Sequence, residues 1–301
     1  MQRSKDAKQP TKSTVDDGES WYDYPQYFDM ALRDETKREV QFIHDAISAY
    51  AQDWQPRASQ KTSARETAHN SRRLRLYEPG CGSGRLVAAM AARGHSVVAL
   101  DNNQSMLDYV ARRVGRSRRI RQNAGRVNLV RADMASHVCR RQVDAAFCTF
   151  NTFRHLTTGT RAKSHLRSVA DSLRSGGLYI LGFHCLPLDV DPDSIERWTA
   201  VHGQNRVTTT FRVIQFNRRQ RIEHIRVSVK ATNLKSGRTR RIRSEFPLRL
   251  YTPHQAKQSL ASLRDVFDVV AIHDFDYDIS QKRQVDDDLI DAVFVLRRRQ
   301  R

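Results

Sequence analysis

The segment LYEPGCGSGR, residues 76–85, places one carboxylate, Glu78, just ahead of three alternate glycines, Gly80, Gly82 and Gly84. Alternate glycines let a backbone approach a ligand closely and adopt dihedrals that other residues avoid. Loops of this kind often cradle phosphate, and two phosphate signatures are testable on the letters. A P-loop requires GxxxxGK[ST], and no lysine follows Gly84. A dinucleotide GxGxxG requires glycine at 85, where Arg85 stands, or at 87, where Val87 stands. A strand-end carboxylate also repels a pyrophosphate in a partly desolvated cleft.

A ligand of opposite sign removes the conflict. S-adenosylmethionine carries an ammonium and a sulfonium that Glu78 attracts directly or through water. Its carboxylate suits the N–H groups that open a helix at Gly84. Downstream, Asp101 ends SVVALD and is expected to accept hydrogen bonds from ribose hydroxyls, with Asn102 and Met106 bordering ribose and adenine. Asp133, in RADM, is expected to accept from the adenine amino group, with Met134 beside it, and Phe150 is assigned to the same pocket. The acids occupy three successive strand ends, where ligands bind in doubly wound sheets.

The elements that must position these residues begin at Leu74. Strand-like runs cover 74–78, 96–100, 127–130, 144–150 and 178–183, alternating with helical patterns near 84–93, 104–113 and 160–174. Ser175-Gly176-Gly177 reads as the C-cap of the last helix. This βαβ rhythm predicts an α/β fold with a doubly wound, mostly parallel sheet. Alternating runs at 206–216, 222–232 and 240–250 predict a small antiparallel three-stranded insert. Thr252-Pro253-His254-Gln255 is a capping box opening a helix, and strands near 266–272 and 289–296 bring the main sheet to seven. The expected organisation is therefore a disordered tail (1–20), a cap helix over 35–50 with a long loop (together 21–73), a cofactor-binding core (74–185), a lid insert (186–251) and the rest of the core sheet (252–301).

ExGxGxG at 78–84, the acid of ALD (Asp101) and Ala132-Asp133-Met134 together resemble the class I S-adenosylmethionine-dependent methyltransferases. The resemblance implies a Rossmann-like methyltransferase fold. The layout is similar to small-molecule methyltransferases with an antiparallel lid after the fifth strand, such as sugar-amine N-methyltransferases. It also implies that the segment before the first strand covers the cofactor, bringing the aromatic cluster at 21–28 and Arg33, which would pair with the methionine carboxylate.

The acceptor is expected at the end of the fourth strand, in FCTFNTFRHL. The (Asp/Asn/Ser)-Pro-Pro-aromatic motif of base-amino methyltransferases is absent there, and Cys148 reads as core. Asn151 and Arg154 are placed to orient a polar substrate. His155 and His184 are the candidate general bases, which a hydroxyl acceptor needs more than an amine does. Clustered acids for a metal are not evident, and the four cysteines lack metal-ligand spacing.

The reading is a methyltransferase acting on N or O of a small molecule by in-line displacement. The alternatives are an RNA methyltransferase using the arginine-rich surface, or a non-catalytic cofactor-binding protein. A net charge of +19 makes nucleic acid a possible partner but not the favoured one, because the arginines read as dispersed along the chain. Without an apolar run of membrane-helix length or a signal-peptide core, a cytoplasmic protein with no membrane partner is expected.

Overall fold

The computed structural model describes residues 14–17, 20–52, 73–186 and 195–300; residues 1–13 and 18–19 of the expected tail, 53–72 of the expected loop and 187–194 of the expected lid insert lie outside them. In chain order the strands and helices are β1 (Thr14–Asp17), α1 (Pro25–Leu32), α2 (Thr36–Tyr50), β2 (Arg75–Pro79), α3 (Arg85–Ala91), β3 (Ser96–Asp101), α4 (Gln104–Arg116), α5 (Arg118–Gln122), β4 (Arg126–Arg131), β5 (Val143–Cys148), α6 (Gly159–Ser172) and β6 (Leu173–His184). They continue with β7 (Ile195–His202), β8 (Asn205–Asn217), β9 (Ile222–Asn233), β10 (Thr239–Arg249), α7 (Pro253–Ala261), β11 (Phe267–His273) and β12 (Asp291–Arg298).

The seven-stranded sheet runs β11-β12-β6-β5-β2-β3-β4. Strands β2 to β6 are mutually parallel, and only β12 runs against its neighbours. The chain winds outward from β2 in both directions, so a crevice opens where β2 meets β5, at the carboxyl ends of the strands. Apolar side chains from both faces are fully buried: Tyr77, Ala146 and Leu181 on one, Leu76, Phe147 and Ile180 on the other. Continuous runs such as LYILGF can therefore serve as strands covered on both sides.

Two predicted details shift. Helix α6 ends at Ser172, and Gly176, at φ +71°, sits inside β6 where the register against β5 slips, so the glycines form a bulge and not a helix cap. The capping box at Thr252 is present as read, its hydroxyl accepting from Gln255 N–H and the Gln255 side chain accepting from Thr252 N–H.

The insert differs more. It has four antiparallel strands, β7 to β10, and β1 adds in parallel along β10, where the tail was expected to be disordered. Strand β7, IERWTAVH, escapes the alternation test because its pattern is inverted. Register against β8 puts Glu196, Trp198 and Ala200 on the face of Val207 and Thr209, while Ile195 and Val201 point to solvent.

A third apolar cluster seats this sheet on the N-terminal segment: Trp21 packs with Val207, Ile225, Val227 and Ile242. Helix α1 is pinned in turn by Asp29, fully buried, which accepts from Ser83 Oγ in the glycine loop (3.1 Å) and pairs with Arg113 of α4 and with Arg33.

Candidate functional site

A cavity of about 720 Å³ lies over the carboxyl ends of β2, β3, β5 and β6, between the main sheet and the inner face of the second sheet. One wall is the glycine loop with Asp101, Met106, Asp133 and Met134; the other carries His184, Glu196, Trp198, Phe211, Phe246 and Asp291. Trp21, Tyr22 and Phe28 of the N-terminal segment line it too.

Asp101 is the anchor of the first wall. Its Oδ2 accepts from Gly82 N–H (2.8 Å) and its Oδ1 from Asn103 N–H (2.9 Å), which ties the glycine loop to the end of β3. Burial raises its pKa, and those backbone donors oppose the rise. Gly80 and Gly82 hold φ of +69° and +51°; a Cβ on Gly80 would meet Thr152 Cγ2 at 2.3 Å, and one on Gly82 would press on Phe28.

Asn102 and Phe150 line the cavity beside them, exposed. Met106 is buried in the wall, and Met134 packs by the loop with its carbonyl fixed by His165 Nδ1 (2.8 Å). Asp133 faces the cavity, but Arg161 Nη2 takes both carboxylate oxygens at 3.1 and 2.9 Å, and Ala135 N–H binds Oδ1. The Ala135 amide and then Arg161 hold its pKa low.

Three expected site residues stand away from the cavity, and a fourth, Arg154, lines it with its charge engaged. Glu78 does not line the cavity: it is buried beneath the loop, accepting from Val87 N–H of α3, and is not placed to touch a ligand cation directly. Burial drives its pKa well above the usual carboxylate range, against the pull of Arg85. Gly84 is also behind the wall; its φ of +68° starts α3, and a Cβ there would meet Val110 of α4 at 2.6 Å, so close approach serves helix packing. Arg33 is held outside by Asp29 (2.7 Å) and His202, because a fully buried carboxylate one turn away demands a cation. Arg154 reaches the wall with its charge spent: it is buried, donates from Nε to Arg249 O (2.8 Å), and forms an ion pair with Glu223 of β9.

Both candidate bases open onto the cavity in different states. The Tyr22 hydroxyl lies 3.0 Å from His155 Nε2. Surrounding protein, with Arg154 adjacent, lowers the His155 pKa to about 4 although the ring borders the open cavity, so it is neutral at pH 7 and shares a hydrogen bond with Tyr22. His184 contacts the Asp291 carboxylate through Nδ1, and its own N–H donates to Asn151 Oδ1 (2.9 Å). A carboxylate at Nδ1 fixes the tautomer that leaves a lone pair on Nε2. Asn151 spends its side chain on this backbone bond and sits at φ +55°. Asp291 was missed from sequence because one acid ahead of an apolar run has no distinguishing pattern.

Glu78 Oε2, buried with no hydrogen-bond partner, tests the fit of the implied cofactor. Burial holds that acid toward its neutral form, so the acid facing the cavity beside the bare-backbone loop is Asp101, which suits a ligand with positive charge and hydroxyl donors and disfavours a phosphate.

Residues 77–177 match the family profile described as a methyltransferase domain. Among solved structures, a S-adenosylmethionine-dependent methyltransferase from Clostridium acetobutylicum ATCC 824 superposes with TM-score 0.65 at 13% identity, over 93% of this chain and 99% of that one. DesVI of Streptomyces venezuelae gives 0.66 at 13% identity, over 91% and 95%. The sugar N-methyltransferase KedS8 from Streptoalloteichus sp ATCC 53650 gives 0.64 at 15% identity, over 99% and 100%. At these identities the likeness is one of fold. No curated protein matches the chain in sequence.

Proposed function

We propose that the chain, whose residues 77–177 match a methyltransferase domain, uses S-adenosylmethionine to methylate an amine nitrogen of a small polar molecule held between the glycine loop and the second sheet. The observation that carries this reading is the charge balance of the acceptor wall. Arg154 and Arg161 are each paired with an acid, leaving Glu196 and Asp291 in the cavity lining, Asp291 at His184, while the exposed Arg212 at the border is in register with Ile195 and Arg226 of the outer face. A surplus of carboxylate attracts a protonated amine, and KedS8, of similar fold, is a sugar N-methyltransferase.

When bound, S-adenosylmethionine would supply an electrophilic methyl on a sulfonium, transferred in line to a lone pair as the sulfur leaves as a neutral thioether. The residues do the rest. Gly80 and Gly82 present bare backbone to the methionine end, and Asp101 accepts from the ribose hydroxyls. Asp133, with Met106 and Met134, borders the adenine. His184, its tautomer set by Asp291, takes the ammonium proton at Nε2, so the acceptor nitrogen arrives with its lone pair free. His155, neutral, hydrogen-bonds without adding positive charge near a sulfonium. The second sheet and the Trp21–Tyr22 segment exclude water, and positioning of this kind is worth about 7–11 kcal/mol of barrier.

A panel of small amines, alcohols and phenols tests it, read by S-adenosylhomocysteine release. Turnover on amines, with His184→Gln lowering kcat/KM most below the pKa of the amine, is expected. Turnover confined to hydroxyl acceptors overturns the choice of nitrogen.

A further inference from the structure

The cations that read as dispersed along the chain gather on one surface once the strands pair. Residues 195–249 hold fourteen Lys and Arg against three Asp and Glu, a net +11 of the whole chain's +19. Two of the three acids, Glu196 and Glu223, belong to the cavity wall. The third, Glu245, is on the other face, bound to Arg226 Nε at 2.7 Å.

Register sorts the cations. Opposite the face of Val207, Val227, Val229 and Ile242 stand Arg206 of β8, Arg226 and Lys230 of β9 and Arg243 of β10, together with Arg197 of β7. Hydroxyls alternate with them: Thr208 bonds Thr199 at 2.8 Å, Thr210 accepts from Arg197 Nε at 3.0 Å, and Ser228 lies across from Arg243. Among the described residues Arg206 and Lys230, both exposed, have no carboxylate partner, and Arg243, also exposed, stands in register with Asp17 of β1. One sheet is thus acid-bearing toward the cavity and cationic toward solvent.

We infer that the outer face of the second sheet docks the phosphate backbone of a duplex nucleic acid. Fixed cations with hydroxyl donors between them match a row of phosphates. Strands of eleven to thirteen residues extend about 40 Å, close to one turn of a duplex. The outward positions of β8 to β10 named above carry no aromatic ring on which an unpaired base would stack, which favours paired over single strands. The apolar side chains of that face, Ile195 and Val201, sit on the edge strand β7 alone, too few to insert in a bilayer. The face lies across the sheet from the cavity, so this partner is held there and not methylated there. The inference is independent of the acceptor proposed above.

Fluorescence anisotropy of the full chain with a labelled RNA duplex of about 16 base pairs tests it. The expected results are binding at low salt and a log-affinity that falls with log-salt with a slope near −0.9 per phosphate. The triple variant Arg206→Gln/Lys230→Gln/Arg243→Gln is expected to lose at least about tenfold in affinity at low salt and to flatten the slope by roughly two to three. Its melting temperature and cofactor affinity stay unchanged. A control, Arg116→Gln/Arg118→Gln/Arg121→Gln on α4 and α5, removes the same charge elsewhere. Three outcomes overturn the inference: no binding at low salt, an equal loss in the control, or equal binding of phosphatidylserine vesicles or single strands.

Discussion

The two walls of the cavity are assembled on different plans. The cofactor wall comes from the ends of adjacent parallel strands, and its bonds are short in sequence: Gly82 and Asn103 amides to Asp101, Ala135 amide to Asp133. The acceptor wall is gathered from Tyr22, His155, His184, Trp198, Phe246 and Asp291, across both sheets. What holds it to the main sheet is a buried ion pair, Arg154 to Glu223, and apolar packing of the second sheet on Trp21. A wall built on backbone amides tolerates local change; one built on a long-range charge pair stands or falls with that pair.

The largest effect should come from breaking that pair. Arg154→Met leaves Glu223 charged and buried, and unfolding in denaturant should show a loss of about 3–5 kcal/mol. Adding Glu223→Leu should restore much of it. A loss confined to a few tenths would mean the walls are not so different.

Acid should act on the other wall at slightly lower cost. His165, fully buried, donates from Nδ1 to the Met134 carbonyl and accepts at Nε2 from Tyr179 OH (2.7 Å). Burial lowers its pKa from 6.5 to about 4. Between those values the unfolded chain binds the proton and the folded chain does not. Its contribution is therefore whole above pH 6.5 and lost as pH falls toward 4, by about 3 kcal/mol. Denaturant midpoints against pH check this, and His165→Gln should flatten the slope. His44, His95 and His155, each lowered to about 4 chiefly by burial, add to the wild-type slope and remain in the variant.

Asp101→Ala should cost the cofactor about 1–3 kcal/mol of affinity by calorimetry, with smaller change in folding, since it removes a hydrogen-bonded charge from the cofactor wall alone. The smallest effect serves as a reference away from both walls. Thr252→Ala removes the capping box of α7 and should lower stability by about 1 kcal/mol without altering cofactor affinity.

The same contrast explains what was legible. Strand-end acids and alternate glycines belong to one short reading frame, so Asp101, Asp133 and the loop could be read in order. Glu78 and Gly84 were recognised as members of the motif but not as residues behind the wall, because which way a loop residue faces depends on α3 and α4 packing, which the letters do not carry. Arg33, away from the cavity, and Arg154, in its wall, have their charges engaged in a way the letters do not show. An arginine near a site reads as a ligand-binding cation until its partner is known, and Asp29 and Glu223 are revealed only by tertiary contact. Strand β7 was lost to its inverted pattern, with Glu196 facing the cavity and Ile195 facing solvent. The dispersion of arginine was a property of the list; pairing β7 to β10 brought those cations onto one face.

The account rests on the sign of charge at the glycine loop, and calorimetric titration of the purified chain with S-adenosylmethionine tests that most directly. One cofactor per chain is predicted, weakened about tenfold or more by Asp101→Ala and indifferent to the Arg206/Lys230/Arg243 substitutions. Tight binding of ATP or NADH with no heat from S-adenosylmethionine would contradict it.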